Sequence, residues 1–222
     1  MRLVLVRHAE STENATKNSG FYQNPRPWTG SAAHALSRDL VGLTPRGFRQ
    51  CQWLRRVLPD FLARDPHVFS SEYRRARDTA ELALPGWPAD VTALLNEQHY
   101  ADATYMTFEE LFALYPDTQD DRQHRKHLWT PPGEGGESLA GAVTARAAGF
   151  LADLDGVAAP DAVAVAVTHH TALLALRSLL ERRPVTDLVE ESRERKVPNG
   201  VVLVYERRGA VYYQVAVAEP DC

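Results

Sequence analysis

The sequence of 222 residues has only two cysteines, Cys51 and Cys222, and neither sits in a CxxC or Cys/His spacing. That argues against a disulfide framework and against a structural zinc site. No stretch approaches the ~20 apolar residues that a membrane-spanning helix needs. The opening MRLVLVRHAE offers four apolar residues before Arg7, too few for a signal-peptide core. A soluble, cytoplasmic protein is therefore expected. An excess of basic charge is missing too, since 25 Lys and Arg face 29 Asp and Glu for a formal charge of −4. Coating a nucleic acid or an anionic membrane calls for a basic balance or a dense basic block, so neither partner is expected. At 44% hydrophobic residues the composition is that of a folded chain, which excludes intrinsic disorder.

What is present is an alternation of strand and helix patterns. Arg2 to Val6 reads as a buried strand that ends in Arg7 and His8. Residues 12 to 42 lose periodicity and predict a functional loop or lid that carries Phe21, Tyr22 and Trp28. Thr44-Pro45 opens a helix with an apolar face of Gly47, Cys51, Leu54, Leu58 and Leu62. A strand at His67 to Ser70 leads to a helix capped by Ser71, and Val91 to Leu95 is a third strand candidate. Thr107 caps a helix over Phe108 to Tyr115, residues 117 to 136 are polar and rich in Pro and Gly, and Ser138 begins a long periodic segment through Leu154. Ala162 to Thr168 is the clearest buried strand and runs into HHTALLALRSLL, a helix. The last segment predicts a hairpin that turns near Arg208-Gly209.

This order predicts an α/β fold of three layers, a mostly parallel central sheet with helices on both faces. No repeat or linker divides it, so residues 1 to 222 are expected to form one domain, with a substrate-side insert at 12–42 and a cap region at about 98–136.

In such sheets ligands bind at the carboxyl ends of the strands. Arg7-His8, Glu97 and His169-His170 fall at or soon after three of those ends, and Arg75 follows a fourth. Each alone is compatible with a structural histidine, a surface arginine or a solvated acid. Together they predict a cationic pocket with one carboxylate, which is costly to assemble without an anion to fill it. Phosphate is the anion best matched to two forked guanidiniums. A histidine between them is a ligand or a nucleophile; held neutral by the arginines, it is able to attack phosphorus in line and form a phosphohistidine.

Several segments resemble the histidine phosphatase superfamily, the phosphoglycerate mutase-like proteins. They are LVRHAES at Leu5 to Ser11 with Asn14, LTPRGFRQ at Leu43 to Gln50, SSEYRRARDTAE at Ser70 to Glu81, LLNEQHY around Glu97, Gly136-Glu137-Ser138, and Val167-Thr168-His169-His170. The resemblance implies His8 as nucleophile, with Arg7, Arg75 and His169 holding the phosphoryl oxygens and Glu97 as general acid and then base. Asn14, Ser11 and His170 are the candidate substrate-binding residues. Arg74 and Arg77 are expected to be surface or helix charges. His170 stands where the family has glycine; its side chain either points away, the preferred reading, or adds a contact in the pocket. Asp78 replaces the family's common glutamine.

Neither a metal nor another cofactor is implied, because arginines supply the positive charge and no metal-ligand spacing surrounds His8, His169 and His170. The implied partner is a small phosphorylated substrate, and a homodimer is the assembly the resemblance suggests. Phosphomonoester hydrolysis is preferred over a cofactor-dependent mutase, because the stretch from Glu97 to His169 is short and the mutases' arginine-rich segment is not found. Arg122, Arg125 and Lys126 echo it only loosely and read equally well as a solvated face. A non-catalytic module that captures phosphorylated ligands is the weakest alternative.

Overall fold

The computed structural model describes residues 1–18, 21–22, 30–62, 65–157 and 161–221. In chain order the elements are β1 (Arg2–Arg7), α1 (Thr12–Thr16), the two-residue strands β2 (Lys17–Asn18) and β3 (Phe21–Tyr22), α2 (Gly30–Asp39), α3 (Pro45–Val57) and β4 (His67–Ser70). There follow α4 (Arg74–Ala83), β5 (Ala89–Val91), α5 (Phe108–Leu114), α6 (Gln119–His124), α7 (Thr144–Val157) and β6 (Val163–Thr168). The chain closes with α8 (His170–Glu181), α9 (Val185–Glu194), β7 (Val202–Arg208) and β8 (Val211–Ala218).

Six strands form one mixed sheet in the order β5-β4-β6-β1-β7-β8. β5, β4, β6 and β1 are mutually parallel, whereas β7 is antiparallel to β1 and pairs with β8 as the expected hairpin. The sheet divides its side chains by strand parity. Leu3, Leu5, Ala164, Ala166, Leu203 and Tyr205 pack on one face with α7, α8 and α9. Val4, Val6, Val165, Val167, Val202 and Val204 pack on the other with Leu54 and Leu58 of the α3 region and Ala76 and Ala80 of α4. Both faces are covered, so β6 is buried at every residue and its Val/Ala run needs no polar alternation. This is the three-layer α/β architecture expected.

Local departures from the expectation have local causes. The segment at 12–42 is not a plain loop: α1 and α2 lie within it, while Trp28 falls outside the described residues. Leu62 is not on α3, because the α-helix gives way at Leu58 to a 3-10 turn containing Pro59, which has no N–H to continue the ladder. The strand expected at Val91 to Leu95 is displaced: β5 ends at Val91, and Thr92 caps a 3-10 turn over Ala93–Leu95 by accepting from Leu94 N. The helix after β4 is capped at Tyr73 rather than at Ser71, whose hydroxyl accepts from Tyr73 N and donates to Asn96 Oδ1. The polar stretch at 117–136 contains α6, and a π-turn over Leu139–Val143 precedes α7. Thr107 forms a capping box with Glu110 at the start of α5, as its sequence suggests.

Residues in the 98–136 segment make a small core of their own, in which Ala103, Met106, Leu111 and Trp129 are buried. Among the described residues no helix is long and apolar enough to cross a membrane.

Candidate active site

The carboxyl ends of β1, β6 and β4 meet at one edge of the sheet. His8 leaves β1 with its N–H bonded to the Thr168 carbonyl at the end of β6, 2.8 Å away. Its ring Nδ1 lies 2.7 Å from the Ala9 carbonyl, which can only accept. Nδ1 therefore carries the proton and Nε2 the lone pair. The ring is almost completely buried, and its centroid is 4.9 Å from that of His169.

His169 is wholly buried and borders both His8 and the Tyr73 ring, 4.8 Å centroid to centroid. Its Nε2 is 2.8 Å from Ser71 Oγ. Ser71 donates its own proton to Asn96 Oδ1 at 2.9 Å, so Nε2–H must be the donor to Ser71. The lone pair then resides on Nδ1, a buried atom with no hydrogen-bond partner among the described residues. Burial, reinforced by Arg75 and His8, holds the His169 pKa well below the ordinary imidazole value.

Arg7 and Arg75 are both buried. Arg7 Nη1 donates to the Val197 carbonyl, and burial, with Arg75 adding to it against Glu97, pulls the guanidinium down to about 10, which leaves it charged at neutral pH. Arg75 Nη1 donates to the Ser37 carbonyl of α2 at 2.8 Å, its guanidinium lies 4.5 Å from the Tyr73 ring centre, and Glu13 is 3.7 Å away. The neighbours Arg74 and Arg77 are exposed, as expected, and Asp78 pairs with Arg74 across one helical turn.

Glu97 stands across the cleft. It follows a 3-10 turn rather than a strand, and Oε1 accepts from Gln98 N at 2.9 Å and from Thr171 N, in the first turn of α8, at 3.1 Å. Asn14 Oδ1 accepts from Ser11 N, Ser11 Oγ and Asn199 Nδ2, which directs its amide nitrogen elsewhere along the cleft wall. Ser11 itself is fully buried and not part of the wall; its visible work is to orient Asn14. His170 does line the cleft, contrary to the preferred reading that it points away, because Nε2 reaches Ser192 Oγ of α9 at 3.0 Å.

The cleft holds about 500 Å³ and is walled by Arg7, His8, Asn14, Arg75, Glu97 and His170 among others. The sheet edge thus collects the residues proposed for catalysis, with His169 packed directly behind His8. Other groups were not foreseen. Asn199 Nδ2 donates to the His8 carbonyl as well as to Asn14, and only the PNG turn before β7 hinted that this segment was special. Arg193 and Lys196, in a charged run that reads as solvent-facing, also line the cleft. Arg122 and Lys126 line it too, which corrects the solvated-face reading for these two; Arg125 faces solvent and pairs with Asp120 and Asp121.

The chain is similar to known proteins over most of its length. A 2,3-bisphosphoglycerate-dependent phosphoglycerate mutase from Bradyrhizobium sp. is 28% identical over 210 residues, covering 91% of this chain and 90% of its own. The alpha-ribazole phosphatase from Shigella flexneri has a similar fold, with a TM-score of 0.74 at 24% identity over 98% of this chain and 96% of that one. A mycobacterial glucosyl-3-phosphoglycerate phosphatase gives 0.71 at 24% identity, with 96% of each chain covered. The model of the histidine phosphatase superfamily (branch 1) matches residues 3–210, nearly the whole chain from β1 to the closing hairpin. With its motif residues gathered at one sheet edge and that match spanning them all, the chain belongs to the histidine phosphatase superfamily.

Proposed function

We propose that the protein is a phosphomonoester hydrolase that works through a phosphohistidine on His8 and needs no metal. Membership of the superfamily, together with phosphatases and a mutase among its relatives, supports a phosphoryl-transfer enzyme. The observation that carries the finer reading is the His8 ring, fixed by its Nδ1–H bond to Ala9, with Arg7, Arg75 and Glu97 on the same cleft.

In the first step Nε2 of His8 attacks phosphorus as the bond to the leaving oxygen breaks, and Glu97, entering protonated, gives that oxygen its proton. Arg7, Arg75 and the Asn14 amide bind the phosphoryl oxygens and stabilise charge as it shifts in the transition state. In the second step Glu97, now a carboxylate, takes a proton from water as that water attacks phospho-His8. Inorganic phosphate leaves and Glu97 is again protonated. Six cationic side chains among the cleft-lining residues supply positive charge of the kind a divalent ion supplies in other phosphoryl-transfer sites.

Hydrolysis of 4-nitrophenyl phosphate, undiminished by EDTA, is the expected result. The variant His8→Ala is expected to lose both turnover and acid-labile phosphoryl labelling; a wild-type rate in that variant would overturn the assignment. The 28% identity to a mutase supports a second reading, phosphoryl transfer between phosphoglycerates. Stimulation by 2,3-bisphosphoglycerate with interconversion of phosphoglycerates would establish that reading instead.

A further inference from the structure

One buried acid in the cleft takes no part in the proton transfers. Glu13, from the short helix α1, is buried on a wall otherwise rich in cations. A carboxylate there repels the phosphoryl anion that the cleft would take, so its presence needs a compensating gain. Its two contacts show where that gain lies. Glu13 Oε2 is 3.7 Å from Arg75 Nη1, with both side chains buried, and Oε1 accepts from the Tyr105 hydroxyl at 2.8 Å.

Arg75 is held from a second side as well. The same Nη1 donates to the Ser37 carbonyl of α2 at 2.8 Å. Both contacts fall on one corner of the guanidinium, which leaves Nε and Nη2, its parallel pair of donors, for phosphoryl oxygens. Tethered at that corner and lying 4.5 Å from the centre of the Tyr73 ring, the group has lost the freedom of its long stem.

Tyr105 reaches Glu13 from an unusual backbone. Its φ of 68° lies in the left-handed region, as does the 43° of Ala101 four residues earlier. Side chains as large as tyrosine rarely adopt this region, and such residues persist where their surroundings over-determine them. Here Ala33 and Leu36 of α2 pack against the ring. Burial, with Glu13 adding to it, raises the pKa of the hydroxyl, so that it keeps the proton it shares. The 98–136 segment thereby touches α1 and α2 at the point where they hold Arg75.

We propose that Tyr105 and Glu13 are positioning residues for phosphoryl transfer that act through Arg75. Tyr105 fixes the Glu13 carboxylate, and the carboxylate fixes the edge of the guanidinium that faces the phosphoryl group. The inference deepens the hydrolase reading and rests on it. Donors already aimed at the transition state need no reorganisation as charge moves, so loosening them costs turnover more than ground-state binding.

Two anions test it. Vanadate, whose five-coordinate adduct resembles the transition state, and inorganic phosphate, which resembles the ground state, are compared as competitive inhibitors. Tyr105→Phe removes one oxygen and keeps the ring, whereas Glu13→Gln keeps the shape and removes the charge. Each is expected to lower kcat for 4-nitrophenyl phosphate about ten-fold and to shrink the advantage of vanadate over phosphate about five-fold or more. Phosphate itself should bind as well as before to Tyr105→Phe, and as well or better to Glu13→Gln, which has lost a repelling charge. In the Arg75→Lys background, which has no fork to aim, Tyr105→Phe should change the vanadate advantage no further. Circular dichroism verifies folding, and Glu13→Asp, which retracts the carboxylate by one carbon, replaces any variant that fails it. An advantage unchanged by the variants, or a loss that recurs in full on Arg75→Lys, overturns the positioning role. Absence of wild-type turnover on every ester overturns the hydrolase reading instead. Calorimetric affinities of the two anions for the same variants then decide the positioning role on its own: equal changes for both anions reject it, and a selective loss of vanadate upholds it.

Discussion

The two histidines at the sheet edge are held in opposite orientations by their hydrogen bonds and serve different ends. His8 keeps its lone pair on Nε2 because Ala9 takes the Nδ1 proton. His169 is oriented the other way, its Nε2–H given to Ser71 and its Nδ1 without a partner among the described residues. A neutral Nδ1 can only accept a hydrogen bond, so contact with a phosphate oxygen requires His169 to take up a proton as the anion arrives. Calorimetric titration with vanadate in buffers of unlike ionisation heat should reveal proton uptake that disappears in His169→Gln; identical uptake in both proteins would reject this. The acid role of Glu97 has its own signature. Glu97→Gln should slow alkyl phosphates at least about ten-fold more than 4-nitrophenyl phosphate, whose leaving group needs no proton, and equal slowing would remove Glu97 from that role. At this scale much was legible. Arg75 is set apart from Arg74 and Arg77 by the resemblance of SSEYRRARDTAE to the family's segment, and the structure buries it on the same face of α4 as Ala76, Thr79 and Ala83. Arg193 and Lys196 could not be set apart, since residues in a run as charged as ESRERK carry no mark of the neighbour they will face.

Among the elements, α3 shows how a sequence motif becomes a distance. Thr44 caps it by accepting from Gly47 N, with Pro45 in the first turn. A Cβ at Gly47 would lie 2.2 Å from the Glu10 carbonyl, so the helix can approach the loop that follows His8 only without a side chain there. Gln50, one turn on, accepts from Glu10 N at 2.8 Å and completes the attachment. Alanine ordinarily favours a helix over glycine by about 1 kcal/mol. Gly47→Ala should nevertheless destabilise the protein, by about 2 kcal/mol or more in chemical denaturation, because backbone must move to admit the methyl group. A neutral or stabilising result would show that the two segments are not rigidly apposed. The hydrophobic runs made β1, β4 and β6 readable one by one, but periodicity says nothing about where a run stops and a turn begins, and so Glu97 was assigned to a strand end that is a 3-10 turn.

For the molecule as a whole, buried neutral histidine makes stability depend on acidity. The native pKa of His169 is depressed below the value near 6.5 that the unfolded chain would show. Above that value both states are neutral and the residue contributes nothing to the difference. Below it the unfolded state binds a proton that the native state refuses, so stability falls as pH drops. Each such group removes up to about 1.4 kcal/mol per pH unit over this range. Denaturation midpoints should therefore decline between pH 6.5 and 5, before titration of the carboxylates begins to matter, and His169→Asn should flatten that slope; a slope unchanged by the substitution would place its origin elsewhere. The strand order was the least legible feature at this scale. Alternation of strand and helix announces layers, but nothing local says that β1 will lie between β6 and β7, more than 150 residues downstream.

That central seat of β1 has a consequence for how the protein comes to life. During synthesis β1 cannot complete its neighbourhood until residues 168 to 199 have been made, since Thr168 bonds to His8 N, Val197 to Arg7, and Asn199 to the His8 carbonyl. A nascent chain that stops short of these residues has the nucleophile but no finished pocket around it. Catalysis should accordingly return in a refolding experiment no earlier than the slowest recovery of native structure, which makes turnover a reporter of the last long-range docking event.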